Sequence, residues 1–379
     1  MLLNSWSLVL IISSLLVVFL LAVAARSAVR VLRFWDPARD DSRQISLESE
    51  IWLSSTLVSY ALGVQILSLV LLVLAADDFA AVISGAMCAT GTLLANPFGL
   101  PALLVKLLGV FLYGGWLVLH RLDISSEHYP LVRHKCWYLL ALLPWLAADI
   151  GLQSLYLLEL DPDVIVSCCA VVFRAGDQGS QLLVELAGER VLPVFYAAAG
   201  GLLLLGAVTW WRLSAAARPA ATGSATSATA GSATPAAAGS ATPDRANGER
   251  LRAADPRLES WLVLIYGAGW LLFLPLALLA ITVAFSSYIY AMPYHNCPFC
   301  ILQPAYHYIG FAIYIPLLLG AFYGFNVPLA SLFSRHPHLA ESATAHRRHA
   351  LAASLLLLIL FTAIASYHYL RYMIGGGQW

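Results

Sequence analysis

The chain has 379 residues, 60% of them hydrophobic and 11% charged, with 21 basic and 21 acidic side chains and no formal net charge; its mean hydropathy is +0.78. A soluble domain carries about a quarter charged residues, so this composition excludes an ordinary water-soluble globule and describes an integral membrane protein. The basic residues form no stretch interleaved with aromatics, which excludes a nucleic-acid binder.

A membrane span needs about 20 mostly apolar residues. Runs at 7–29, 51–75, 100–120, 136–158, 192–212, 260–288, 308–333 and 350–371 predict eight transmembrane helices, hence an all-α polytopic fold. The first run is long and lacks basic charge ahead of it, so it reads as a retained helix and not a cleaved signal peptide. Orientation follows from Lys and Arg. Seventeen of the 21 basic residues fall in alternate loops, around 26–43, 121–135, 212–257 and 335–348. The opposite side has Arg174, Arg190 and Arg371, and Lys106 lies inside a span. By the positive-inside rule the richer side is cytoplasmic and both termini are extracytoplasmic, the expected home being the cell inner membrane.

In chain order, the first outward loop brings Cys88 in "ISGAMCATGTLLANPFG". Span three carries Lys106, ~9 Å below the outer boundary at 1.5 Å per residue. Span four starts with Cys136 and carries Asp149 ~10 Å from the same boundary, with Gln153 one turn further out. Charges inside a bilayer are costly and pair with one another or serve function. The matched depths predict a Lys106–Asp149 pair that holds a quinone carbonyl or conducts protons; the alternative is that Lys106 snorkels to the headgroups. The second outward loop has adjacent Cys168 and Cys169.

Residues 214–258 are mostly Ala, Ser, Thr, Gly and Pro, without the apolar pattern a core needs, and read as a disordered cytoplasmic linker. It separates a five-span half, 1–213, from a three-span half, 259–379. No Walker loop, glycine-rich nucleotide loop or HExxH zinc helix occurs, nor an internal repeat of the inverted-transporter kind.

The third outward loop is "YHNCPFCILQPAYHYIGF", residues 294–311. Five of the six cysteines therefore lie on or near the outer side, where disulfides persist. One reading is a set of staples over the bundle, in a subunit of a membrane transport complex. An odd count, the strain of a bond between neighbours Cys168 and Cys169, and the short CxxC ring favour exchange chemistry or a metal. In the exchange reading Cys300 sits near the N-terminus of span seven, whose dipole favours a thiolate, and a protonated His295 lowers a thiol pKa.

"CPFCILQ" fits Cys-x-x-Cys-x-x-Gln and resembles the quinone-linked disulfide-generating membrane oxidases of the DsbB type. The resemblance implies a redox pair at Cys297 and Cys300, Gln303 as its neighbour, a membrane quinone as acceptor, and a relay with Cys168 and Cys169 that serves an extracytoplasmic thiol protein. The competing chemistry is a metal. Met292, His295, Cys297 and Cys300 offer the sulfur and imidazole donors that suit Cu(I) or zinc. His307 and His368, each between two tyrosines, belong to an interfacial aromatic belt, or else ligate haem or contact a quinone ring. No CxxCH occurs, which excludes covalent c-type haem on this chain.

Overall fold

The structure, a computed structural model, describes residues 2–35, 41–126, 129–166, 190–217, 256–292, 295–334 and 339–376. Within hydrocarbon every backbone N–H and C=O must be satisfied inside its own segment, and the chain responds with helices alone among the described residues. These are α1 (Ser5–Phe34), α2 (Ser42–Phe79), α3 (Ala89–Leu93), α4 (Gly99–Ile124), α5 (Val132–Leu158), α6 (Val191–Ala217), α7 (Pro256–Ala280), α8 (Ser286–Tyr290), α9 (Ile309–Phe333) and α10 (Ala340–Ile374). A single π-turn, Ile281–Phe285, fuses α7 to α8, so these two form one span. Among the described residues eight helices are long and apolar enough to cross a membrane, as the hydropathy pattern predicts. Large apolar side chains such as Phe19 and Leu204 point outward, as a lipid-facing surface requires.

The helices overrun the predicted spans. α2 begins at Ser42 and α10 at Ala340, because hydropathy locates the apolar window and not the helix end. The extra turns hold polar contacts at one end of the bundle. Arg30 pairs with Glu50 at 2.8 Å, and Arg347 lies 4.0 Å from Glu259. Lys135, which the sequence presents as a loop-borne topology signal, is instead buried and pairs with Asp123 at 2.6 Å. Asp123 also accepts from the Leu131 amide at 2.7 Å, so this carboxylate closes the turn between α4 and α5.

Packing divides the spans four and four. α1, α2, α4 and α5 pack together, while α6 packs on α7 and α10, and α9 lies along α10 and α7. The fifth span thus belongs with the last three, and the packing boundary falls between α5 and α6. The low-complexity segment marks where the chain lacks a core-forming pattern, which is a different property from where two cores meet. Most of it, 218–255, lies outside the described residues.

The two bundles have different cores. The second is aromatic: Phe195 meets Phe285, Phe273 and Phe361 with ring centroids 5.2, 5.6 and 6.0 Å apart. The Trp270 indole fills the space that Gly320 and Gly324 leave on α9. The first bundle is polar at its centre. Lys106 Nζ lies 2.9 Å from Asp149 Oδ1, and both side chains are fully buried. Gln65 and Tyr113 donate to Asp149 Oδ2 at 2.7 and 2.8 Å. Lys106 also donates to Ser68 at 2.9 Å, and Gln153 donates to Ser14 at 3.0 Å. All four helices contribute, so the predicted ion pair exists and the snorkelling alternative does not hold. The bundles meet where α4 faces α9: the Phe111 and Phe325 rings touch edge to face at 5.3 Å, and Gly114 gives room to Phe322.

Candidate functional site

Two walls make the site, one from each bundle. The first is the connection from α2 to α4. Gly85, at φ +84, lets the backbone turn where the Val166 carbonyl would collide with any Cβ. The Val166 amide in turn donates to Ser84 O at 3.1 Å. Cys88 is the N-cap of α3, and Thr92 on α3 donates to Ala76 O at 2.7 Å, which fixes the short helix to the end of α2. Asn96 caps α4 by accepting from the amides of Phe98 and Gly99, both at 3.1 Å, while its amide donates to Tyr156 O on α5 at 2.9 Å. Each contact satisfies a backbone group at a helix end.

The second wall is the loop between α8 and α9. Tyr290, the last residue of α8, donates its hydroxyl to Cys297 O, and Tyr314 on α9 donates to Pro298 O at 2.8 Å. The Tyr306 ring packs on Tyr290 at 4.6 Å. Cys300 opens a 3-10 turn that ends at Leu302, and a second turn covers Pro304–Tyr306. Gly310 lets the start of α9 press against Ile301 and Leu302.

Between the walls three sulfurs converge. Cys88 Sγ and Cys297 Sγ are 3.5 Å apart, and the sulfurs of Cys88, Cys297 and Cys300 all lie within 4.8 Å of one another. Their residues are 0%, 0% and 5% exposed. The Thr90 hydroxyl oxygen is 3.2 Å from Cys297 Sγ, and the Phe299 amide donates to that sulfur at 3.4 Å. Among the described residues this is the cluster of His, Cys, Asp and Glu donors close enough to share one metal ion.

The site keeps part of the predicted set and replaces the rest. Cys297 and Cys300 are in it. Cys168 and Cys169 lie outside the described residues. Cys88 completes the cluster, although the sequence shows only that it shares an end of the bundle with the CxxC pair. Cys300 opens a 3-10 turn nine residues before α9 begins at Ile309, and the start of α9 packs against its neighbours Ile301 and Leu302. Burial pushes the His295 imidazole below its ordinary pKa, with the Cys88 charge opposing. It is therefore neutral at pH 7 and supplies no positive charge to a thiol. Its ring packs edge-on against Tyr290 at 4.6 Å, and it is not among the donors that share the sulfur cluster. Met292 is 44% exposed on the approach to the loop.

The residues assigned to a cofactor separate too. The Gln303 amide donates to Asp77 Oδ1 at 2.9 Å and to Met87 O at 3.2 Å, so it ties the CxxC loop to the end of α2. His307 has a φ of 54° at the end of a 3-10 turn, and half-buried His368 packs edge-on against Tyr367 at 5.2 Å. Lys106 and Asp149 pair with each other and bond to Gln65, Ser68 and Tyr113 inside the first bundle. No protein-family model, no curated protein and no solved structure matches this chain.

Proposed function

We propose that this protein handles a thiophilic metal ion, Cu(I) in class, which it holds on the thiolates of Cys88, Cys297 and Cys300 at the extracytoplasmic end of the bundle. The observation that carries this reading is the convergence of three buried sulfurs within 4.8 Å. Thiolate sulfur selects soft ions, and a three-sulfur set suits Cu(I) better than zinc, whose structural sites close with four ligands. Burial also separates metal binding from thiol exchange. Exchange needs an attacking partner to reach a sulfur along the S–S axis, whereas a small ion needs only the three donors. Binding displaces thiol protons to water, so affinity rises with pH. The side of the membrane rests on the positive-inside distribution of Lys and Arg.

The test is anaerobic titration of purified protein with Cu(I) against a competing chelator, read by metal analysis and X-ray absorption. The expected result is one ion per chain bound to sulfur, lost in a Cys297→Ser/Cys300→Ser variant. Absence of stoichiometric binding to fully reduced protein refutes the reading.

A second reading is favoured by one distance. Cys88 and Cys297 need to close only from 3.5 Å to about 2.05 Å to form a disulfide. Two electrons and two protons would then pass to a membrane quinone, with Cys300 as the resolving thiol. Thiol counting by mass on protein isolated under alkylating conditions decides between them: a Cys88–Cys297 disulfide supports redox work, and three alkylatable thiols after metal removal support the metal.

A further inference from the structure

The three sulfurs are divided one and two between the bundles. Cys88 belongs to the α2–α4 connection of the first bundle, and Cys297 and Cys300 belong to the α8–α9 loop of the second. We propose that Cys88 is the locking ligand of the site: the metal first rests on the CxxC pair of the second bundle, and its capture by Cys88 clamps the two bundles together. This rests on the metal reading above and adds a division of labour among the ligands.

Three observations carry it. First, the polar contacts around the sulfurs also run between bundles: Thr90 reaches Cys297 Sγ at 3.2 Å, and Gln303 reaches Asp77 and Met87 O at 2.9 and 3.2 Å. Secondly, where α4 faces α9 the seam is apolar, Phe111 on Phe325 and Gly114 under Phe322. Lipid tails solvate such surfaces as well as a helix does, so apolar contact gives little drive for association inside a bilayer. Bonds at the sulfur end therefore weigh heavily in holding the bundles in register.

Thirdly, the CxxC loop is set between backbone conformations that side chains rarely adopt. Ala291 before it and His307 and Tyr308 at its end have φ of 54°, 54° and 57°. Such residues persist only where surrounding contacts hold them, and they concentrate at clamps and switches. The π-turn in the span that leads into the loop is another feature frequent at functional sites. Two thiolates of a CxxC pair hold Cu(I) without Cys88. The third sulfur then adds a bond that spans the two bundles, and binding that favours one conformation stabilises it by mass action.

The experiment uses the full chain with a protease site placed at residues 176–180, between α5 and α6, cut after purification into lipid nanodiscs. Native mass spectrometry after detergent release then reads whether the two pieces travel together. With Cu(I) added anaerobically the wild-type pieces stay paired, and with a Cu(I) chelator they separate. In Cys88→Ser one Cu(I) still binds, on the CxxC pair, but the pieces separate whether or not metal is present. If Cu(I) binds the wild type one to one and the pieces pair equally with and without it, the clamp is wrong and the metal reading stands. If Cys88→Ser stays paired in a metal-dependent way, Cys88 is not the lock. If the wild type binds no Cu(I), the reading and the clamp fall together. The wild type with and without chelator decides the clamp even if the variant does not assemble.

Discussion

Replacing Asp149 with leucine leaves Lys106 fully buried and without its counter-ion in the interior of the first bundle. Breaking a buried ion pair by removing one partner costs about 3–5 kcal/mol. Gln65 and Tyr113 also lose their acceptor, at about 0.6 kcal/mol for each such bond inside a membrane protein. Asp149→Leu is therefore expected to cost about 4–6 kcal/mol. Lys106→Met is milder, about 3 kcal/mol, because Asp149 keeps two donors and Ser68 loses one bond but keeps that to Gln65 O. In the double variant no charge is left to compensate, and only the bonds of Gln65, Tyr113 and Ser68 are lost, about 2 kcal/mol together. The double variant should thus be more stable than either single. The assay is equilibrium unfolding in mixed micelles on a gradient of denaturing detergent, followed by the fluorescence of the 11 tryptophans. Single-variant losses that add to within about 0.5 kcal/mol in the double would refute the reasoning, since additivity means that the two side chains do not interact.

Gly114→Leu forces a side chain into the Phe322 ring at the seam and should cost about 1–3 kcal/mol by overpacking, whereas Gly151→Ala, with nothing within 4 Å of its Cβ, should be neutral or slightly stabilising in the same unfolding assay. Burial lowers the His295 pKa below its ordinary value of 6.5. The unfolded chain then binds the extra proton first, so His295 makes stability fall as pH drops below about 6.5 and has no effect above it; a His295→Phe variant should show a flatter acid limb in thermal melts between about pH 5 and 7, and an unchanged limb would count against the burial. Changing Cys136, Cys168 and Cys169 together to serine should leave Cu(I) stoichiometry unaltered, checked by metal analysis, and a loss of binding would place a ligand outside the cluster. A reporter fused at residue 230 should report the cytoplasm, and an extracytoplasmic signal there would invert the orientation drawn from Lys and Arg.

Composition and hydropathy by themselves determine that the chain crosses a membrane eight times, because the bilayer imposes a length and an apolarity on every span that can be read locally. Depth is legible as well: Lys106 and Asp149 meet because each residue advances a helix by a fixed rise, so two positions counted from the same boundary land at one level. The CxxC pair stands out because its residues are close neighbours in the chain. What local patterns do not carry is which distant segments touch. Cys88 and Cys297 are 209 residues apart, and nothing in either segment names the other; the docking of the α2–α4 connection against the α8–α9 loop decided that they meet. The same packing placed α6 with the last three spans, although the low-complexity segment suggests a cut after it. It also lowered the His295 pKa by burial and set the tyrosine and glutamine side chains that hold the cysteine loop in place. The protein's spans follow from local physics, and its three-sulfur site arises from the tertiary contact between two bundles.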